Sequence, residues 1–350
     1  MAVREQDLRV GNPTGENFGR WLQYIPGLLA LLTVGYAGKI AAKYVPHMEY
    51  VLFAIAFGMI ISNTVGVPKL LEPGIATYEF WLKAGIVLMG ARLALQDVFA
   101  IGLSGVGLVI VEIVISIAAA RFFGRLFGLS EKLRDLIGIG VGICGVSAIM
   151  GAMGAIDSNE EESTYAIATI LIFGAAMVFI YPLLANFLGL SDQFFGYWAG
   201  LSIDNTAEAV ATGFAFSEAA GNYATTVKMI RNALMGVVIL LFALSYARKG
   251  LTAEVENKGR FLWVRFPKFL IGFLLFSVLA TLGFFSKENI TAIKNLSSWA
   301  FLMAFAGVGF RARFAEMRAG IKPFLVGLGV ETAVSMATFL MLLLAGPYIF

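Results

Sequence analysis

Long apolar stretches separated by short polar segments fill the chain from about residue 21 to residue 346. A helix that crosses a bilayer needs about 20 mostly apolar residues, and stretches of that length follow one another here. The pattern predicts eleven spans, near residues 21–42, 49–64, 80–96, 98–120, 134–156, 164–187, 194–214, 224–247, 266–285, 295–311 and 321–346. We therefore expect an all-α polytopic membrane protein, with a polar tail over 1–20 and one transmembrane domain over 21–350.

Two of these spans, 49–64 and 80–96, are short for a crossing. Each is expected to be tilted, re-entrant or packed inside the bundle. If one of them is a buried half-helix, the number of crossings falls to ten. The 39 glycines of the chain fit both close helix packing and interruptions within helices.

Basic residues concentrate in the N-terminal tail and in three loops. They are Arg4, Arg9 and Arg20; Arg121, Arg125, Lys132 and Arg134; Arg248, Lys249, Lys258, Arg260, Arg265 and Lys268; and Arg311, Arg313, Arg318 and Lys322. With eleven spans all four groups fall on one side of the membrane, and the acidic segment 157–163 falls on the other. Because short loops rich in Lys and Arg stay in the cytoplasm, we expect a cytoplasmic-membrane protein with its N-terminus inside.

The composition supports the membrane class and argues against others. Hydrophobic residues make up 59% of the chain and charged residues 14%, with a mean hydropathy of +0.82, against roughly 45–50% and about 25% in soluble domains. A net charge of +3 is too small to indicate a nucleic-acid partner. The sequence has no phosphate-binding loop, nucleophile elbow or zinc-binding pair, so we expect neither an enzyme, an ATP-driven pump nor a bound cofactor beyond a coupling H⁺ or Na⁺.

Residues 83–117 and 302–336 resemble each other at a constant offset. The matched residues are Gly90, Arg92, Asp97 and Glu112 in the first segment, and Gly309, Arg311, Glu316 and Glu331 in the second. The two segments have opposite orientations in the expected topology, which is typical of inverted-repeat transporters. Each second-helix glutamate then lies roughly 15–18 Å deep, near the bilayer midplane. A chance match between glycine-rich helices is the alternative.

A glycine-dense run over 138–155 has Gly142, Cys144, Gly145 and Ser147 at its centre. Glycine inside a helix costs about 1 kcal/mol relative to alanine, so this helix is expected to break. A break exposes backbone amides, and half-helix N-termini carry partial positive charge that suits anions. The alternative is close helix–helix packing through small residues.

Polar residues also lie inside the apolar stretch at 194–214, namely Asp204, Asn205, Thr206 and Glu208. A carboxylate at the centre of a membrane helix costs about 2.5–3.5 kcal/mol on insertion scales. These side chains are therefore expected to face a cavity, a partner charge or a bound ion.

Lys228 and Arg231 share a face of the next helix. Glu208 and Arg231 are expected roughly 9–12 Å below the outer surface, where they would pair and offset each other's desolvation. A purely structural ion pair is the alternative. Asp204 lies deeper, with no basic residue expected at its depth in the adjacent helix, which suits a proton or cation site.

Four further residues have simpler interpretations. Arg92 is expected near the external end of its helix, where it either reaches the surface or contacts an anion. Arg311 fits the positive-inside pattern, and Asn63 is a candidate helix cap. His47, the sole histidine, lies in a loop, so proton coupling would have to use carboxylates.

Six segments together are similar to the YeiH-type sulfate exporter family. They are GMIISNT (58–64), LKAGIVLMGARLALQDV (82–98), GICGVSAI (142–149), ATILIFG (168–174), GLSIDNTAEAVATG (200–213) and VKMIRNALM (227–235). The family is grouped with bile-acid symporters and cation/proton antiporters. The resemblance implies inverted repeats, a core with interrupted helices, elevator-type movement against a scaffold and, by analogy, a homodimer.

The expected function is secondary active transport of a small anion, as export of sulfate, sulfite or an organosulfonate coupled to H⁺ or Na⁺. The expected substrate ligands are Gly142, Cys144, Gly145, Ser147, Asn205, Thr206, Arg231 and Arg92, and the expected coupling residues are Asp204, Glu208, Glu112 and Glu331. A cation/proton antiporter is the alternative in the same class. A channel or a membrane scaffold is the alternative from a different class.

Overall fold

A computed structural model describes residues 22–45, 49–93, 95–253, 255–314 and 320–349. Within these ranges, the side chains of residues 95, 97–104 and 346–349 are not described. The predictions made for the 1–20 tail, His47, Glu316 and Arg318 lie outside the described residues, and the one made for Asp97 concerns a side chain that is not described.

Helices occupy all eleven apolar stretches. In chain order they are α1 (Ile25–Ala41), α2 (Tyr50–Thr64), α3 (Glu72–Ile75), α4 (Tyr78–Met89, continued by a 3₁₀ turn at Gly90–Arg92), α5 (Leu95–Leu126), α6 (Glu131–Gly142), α7 (Val146–Ile156), α8 (Glu160–Leu188), α9 (Asp192–Ser202), α10 (Thr206–Phe216), α11 (Glu218–Arg248), α12 (Lys258–Arg265), α13 (Phe269–Thr281), α14 (Lys287–Arg311) and α15 (Ile321–Ile349).

Side-chain caps fix where several of these helices begin. Ser130, Ser191 and Ser217 accept from backbone amides in the first turns of α6, α9 and α11, which satisfies donors that a helix leaves unpaired at its start. Asn159 and Glu162 form a reciprocal capping box at the start of α8.

Helices α6 and α7 form a hairpin that returns to the end of the bundle where it began. Lys132 Nζ donates to the backbone carbonyl of Asp157, and Ser130 Oγ lies 2.5 Å from Glu162 Oε1. A continuous helix over these residues would separate its ends by about 40 Å. The predicted crossing over 134–156 is therefore wrong.

Helices α9 and α10 form a second hairpin of the same kind. Ser217 Oγ donates to Asp192 Oδ1 at 2.7 Å, and the rings of Phe195 and Phe216 lie 4.5 Å apart. The two ends of this segment meet as well, so the predicted crossing over 194–214 is also wrong.

The two hairpins enter the bundle from opposite ends. Glu131, at the start of α6, pairs with Lys249 beyond the C-terminal end of α11 at 2.5 Å, whereas Ser217 caps the N-terminal end of α11. Helix α11 is 31 residues long, which corresponds to about 46 Å. The acidic segment 157–163 consequently lies at the same end as the basic loop before α6, and its predicted placement on the opposite side is wrong.

Four helical stretches are long and apolar enough to cross a membrane by length and composition: Gly105–Leu126, Glu160–Leu188, Glu218–Arg248 and Ile321–Ala345. A fifth is reached if α12 and α13, which bend by 71° at their junction, count as one span. These findings establish an all-helical membrane architecture over the described residues, while a count of about eleven crossings is not confirmed.

The helices pack as two groups. The core group consists of α5–α11 and α15, and the outer group of α1–α4, α13 and α14. They meet at a seam where α10 packs against α2 and α14. Phe214 on α10 lies 5.0 Å from Phe301 on α14, measured between ring centroids. The expected roles of these groups as core and scaffold, and the movement between them, stay predictions.

Candidate functional site

The tips of the two hairpins meet inside the core group. Helix α6 ends at Gly142 and α7 begins after Gly145, whose φ of +68° suits glycine. A Cβ at Gly145 would lie 3.3 Å from the Cα of Asn205, the residue that caps α10. The expected break over 142–147 is confirmed, and a second break at 203–205 lies directly against it.

Arg231 on α11 binds the carbonyl ends of both broken helices. Its guanidinium is fully buried, and its Nε donates to the Gly142 carbonyl at 3.2 Å while Nη2 donates to that of Val141. Its Nη1 donates to the carbonyls of Leu201 and Ile203 at 2.5 and 3.0 Å. A cation is stabilising at a helix C-terminus, where unpaired carbonyls carry partial negative charge.

Lys228, one turn earlier on α11, adds a second buried cation. Its Nζ donates to the carbonyls of Ile203 and Asp204 at 2.6 and 2.5 Å, and its side chain is fully buried. The expectation that no basic residue lies level with Asp204 is therefore wrong. The three-residue spacing of Lys228 and Arg231 is the sequence feature that indicates two cations on the same face of α11.

Glu112 on α5 is the carboxylate that pairs with Arg231. Its Oε2 lies 3.4 Å from Arg231 Nε, and both side chains are fully buried. The predicted Glu208–Arg231 pair is wrong because only Ser217 separates α10 from α11. Arg231 consequently lies about 20 Å along α11, level with the break rather than with Glu208.

Asp204 and Glu331 form a second acidic pair beside these cations. Their carboxyl groups are near neighbours, and the two residues are 0% and 2% exposed. Neither carboxyl group has a hydrogen-bond partner in the described part of the chain. Because two neighbouring carboxylates cannot both ionise easily, the pair favours a shared proton or a bound cation. The three expected coupling residues Glu112, Asp204 and Glu331 thus come together.

A cavity of about 540 Å³ lies on the other side of the hairpin tips. Four of the expected substrate ligands line it, at the N-terminal ends of α7 and α10: Cys144, Ser147, Asn205 and Thr206. Cys144 Sγ lies 3.6 Å from Met235 Sδ, which also lines the cavity. The other expected ligands, Gly142, Gly145, Arg231 and Arg92, do not line it.

Basic side chains surround the same cavity. Lys83, Arg265, Lys268 and Arg311 contribute to its walls, together with one acid, Glu79, which pairs with Lys83 at 3.1 Å. The sequence pattern assigned three of these cations to membrane topology alone. Their convergence follows from the packing of α4, α12, α13 and α14, which no local motif indicates.

Arg265 is held firmly in this wall. Its guanidinium donates to the Gly151 carbonyl of α7 at 3.2 Å and stacks over the Phe261 ring, 3.7 Å from its centroid. The remaining wall is largely apolar and includes Leu82, Ile86, Met235, Val264, Phe266 and Phe269.

Arg92 and Asn63 have other contacts. Arg92 forms an ion pair with the half-exposed Glu218 at the end of the bundle where α11 begins, so it reaches that surface and does not line the cavity. Asn63 Nδ2 donates to the Ala312 carbonyl at 2.6 Å, and its Oδ1 accepts from the Phe314 amide at 2.8 Å. It therefore anchors the chain that follows α14.

These features define an all-helical membrane protein with a buried charged centre where two helical hairpins meet. The chain belongs to the family described as conserved hypothetical protein 698, whose model matches residues 26–327.

Three relatives illustrate the family. A UPF0324 membrane protein of Nitratidesulfovibrio vulgaris is 31% identical, over 91% of this chain and 93% of its own length. The UPF0324 membrane protein RB9488 of Rhodopirellula baltica is 32% identical over 88% of this chain, which spans 59% of that longer protein. One from Clostridium tetani is 27% identical over 93% of this chain and 98% of its own length. No solved structure matches the chain.

Proposed function

We propose that this protein is a secondary active transporter of a small anion, and that the cavity below the hairpin tips is its substrate site. The observation that supports this most directly is the lining of the cavity, which combines the N-terminal ends of two half-helices with four basic side chains.

The electrostatics of the broken helices favour an anion over a cation in this cavity. Each half-helix has a partial negative charge at its C-terminal end and a partial positive charge at its N-terminal end. Arg231 and Lys228 neutralise the C-terminal ends of α6 and α9. The N-terminal ends of α7 and α10 are left to face the cavity, with backbone amides suited to anion binding.

Transport would proceed by movement of the core group along the seam. The α10 face toward α2 and α14 consists mainly of small or apolar side chains, among them Ala207, Val210 and Ala211. Such a surface has few hydrogen bonds of its own to break when one helical group slides along the other. Elevator-type alternating access therefore suits the arrangement and would carry the hairpin tips with their anion across the membrane.

The coupling ion would bind at the acidic cluster behind the tips. Asp204, Glu331 and Glu112 outnumber the two cations beside them, so one proton or Na⁺ would balance the cluster. Lys228 donates to the Asp204 carbonyl at the second break. A change in charge at the Asp204 carboxyl group would therefore alter the electrostatic potential at the hairpin tips that bind the anion.

A sulfur oxyanion suits the polar end of the cavity, where Ser147, Asn205 and Thr206 can hydrogen-bond it. The apolar wall opposite favours an organosulfonate, whose hydrocarbon part would be buried there. Bare sulfate would leave that wall without a partner. Sulfite, sulfate and methanesulfonate therefore form the first set of substrates to compare.

Uptake of labelled sulfite, sulfate and methanesulfonate by proteoliposomes containing the full chain tests this proposal. We expect saturable uptake of at least one anion, reduced by Arg311→Gln, which removes a cavity cation, and unchanged by Arg92→Gln, which lies away from the cavity. Loss with Arg92→Gln and not with Arg311→Gln would contradict the site.

A cation/proton antiporter remains the second candidate because of the acidic cluster. Saturable uptake of labelled Na⁺ in exchange for protons, without uptake of any anion, would favour it. Conductance without saturation would indicate a channel, and absence of flux would indicate a scaffold.

A homodimer, as in elevator transporters, is the expected oligomeric state. Mass measurement of the protein in detergent would detect it.

A further inference from the structure

Glu208 stands apart from the buried charged cluster. It lies in the first turn of α10, is 4% exposed, and its Oε2 has no hydrogen-bond partner among the described residues. An ionised carboxylate that is buried and unpaired costs several kcal/mol. The cluster of Glu112, Asp204 and Glu331 accounts for a charge balance without it, so its presence requires a separate explanation.

The carboxyl group of Glu208 occupies a place made for it by a glycine. Gly174 on α8 is the residue it packs against, and a Cβ added there would overlap the carboxyl group. The absence of a side chain at Gly174 thus leaves space on α8 for the Glu208 carboxyl group, on the core side of the seam.

A small pocket lined by Glu208 lies next to the substrate cavity and shares lining residues with it. It has a volume of about 10 Å³, close to the smallest space that holds one water molecule. Tyr78, Leu171, Asn205, Ala207 and Arg311 line both the pocket and the large cavity. One water molecule in this pocket would lie between Glu208 and the cavity and would serve as a proton relay.

Few titratable or charged groups lie near the Glu208 carboxyl group. Tyr78 on α4 and Arg311 on α14 line its pocket. Asp204 at the second break and Lys228 on α11 interact with it electrostatically. The sides formed by α2 and α8 are apolar: Ile55, Met59, Leu171, Ala175 and Val178. No basic side chain forms an ion pair with Glu208 among the described residues.

We infer that Glu208 is the proton-carrying group at the seam, and that its neutral form is required for the core group to slide. This inference rests on the proposed transport function. When neutral, Glu208 can move with α10 along the apolar faces of α2 and α14. When ionised, it stays hydrated at the pocket beside Arg311 and holds α10 in place. One proton at Glu208 would then accompany each movement of the core group, in addition to the ion that balances the acidic cluster.

Transport of labelled sulfite into proteoliposomes, measured in two modes, tests this assignment. For Glu208→Gln, which mimics the neutral form, we expect sulfite exchange at equal pH to persist and accumulation driven by a pH gradient to be lost. Glu160→Gln is the control, because Glu160 is an exposed carboxylate in the first turn of α8 and does not line the cavity, and it should retain both modes. Gradient-driven accumulation by Glu208→Gln would overturn the inference.

A measurement that needs no substrate separates this inference from the proposed function. The infrared carbonyl band of a protonated carboxyl group, recorded on the full chain in liposomes at neutral pH, should lose intensity in Glu208→Gln but not in Glu160→Gln. Gly174→Ala should shift that band by displacing the carboxyl group, and Glu208→Asp in the same background should restore it in part. An unchanged band in Glu208→Gln would overturn the inference even where sulfite is transported. If wild-type protein moves no anion, the transport proposal fails while the band still reports on Glu208.

Discussion

At the scale of single residues, Arg231 joins three parts of the core. Its guanidinium bonds carbonyls at the ends of α6 and α9 and the carboxylate of Glu112 on α5. Burying a charge is costly in itself, yet removing one partner of a buried pair leaves the other uncompensated and typically costs about 3–5 kcal/mol. Arg231 therefore contributes to folding, whether or not it also influences transport.

Arg231→Met is expected to lower the free energy of unfolding by roughly 3–5 kcal/mol, because Glu112 and the hairpin carbonyls lose their donor. Thermal unfolding of the purified protein in detergent measures this. Arg125→Gln, at an exposed arginine near the end of α5, should leave the unfolding temperature unchanged.

Coupling between the partners provides a stricter test. In an Arg231→Met background, Glu112→Gln should recover part of the lost stability, since it removes the uncompensated carboxylate. If the two substitutions were simply additive, the pair would not be the source of the stabilisation.

At the scale of helices, the apolar stretches predicted where helices lie but not whether they cross. The 49–64 stretch corresponds to α2, Tyr50–Thr64, almost residue for residue. The stretches at 134–156 and 194–214 have the length of a crossing, but each consists of two half-helices of 11 or 12 residues. Hydropathy counts apolar residues and is blind to a reversal of direction between them.

The same distinction explains which parts of the site the sequence could indicate. Glycine density located the break at Gly145, and the depth of Glu112 and Glu331 within their helices indicated a shared region. The Glu112–Arg231 pair and the cationic cavity wall depend on the register of α11 and on the packing of distant helices. Those relationships arise only from the tertiary structure.

The hairpins make a topological prediction that single cysteines can test in a Cys144→Ser background. Glu131→Cys and Ser158→Cys lie at the two ends of the first hairpin and should react with an impermeant thiol reagent from the same side of the membrane. Ala219→Cys, at the start of α11, should react from the opposite side. Labelling of positions 131 and 158 from opposite sides would restore the continuous crossing and rule out this hairpin.

At the scale of the whole molecule, the cavity has a basic wall formed by Arg265, Lys268 and Arg311. These residues belong to loops and helix ends that the positive-inside pattern predicts to be cytoplasmic, so we expect the cavity to open toward that side. Cys144, the one cysteine of the chain, lines this cavity and is 7% exposed. The native protein therefore carries a reporter of cavity access at the hairpin tip.

In this conformation an impermeant maleimide should label Cys144 faster in inside-out vesicles than in intact spheroplasts, because the reagent must enter the cavity from the side of its basic residues. Methanesulfonate or sulfite, if bound at the tips, should slow the reaction by occupying the cavity. Cys144→Ser is the control for labelling at other residues.

Movement of the core group would expose the same thiol from outside, so a pH gradient that drives transport should shift labelling between the two faces. Equal labelling from both faces, unaffected by anions or by the gradient, would show that the tips neither face one side nor move.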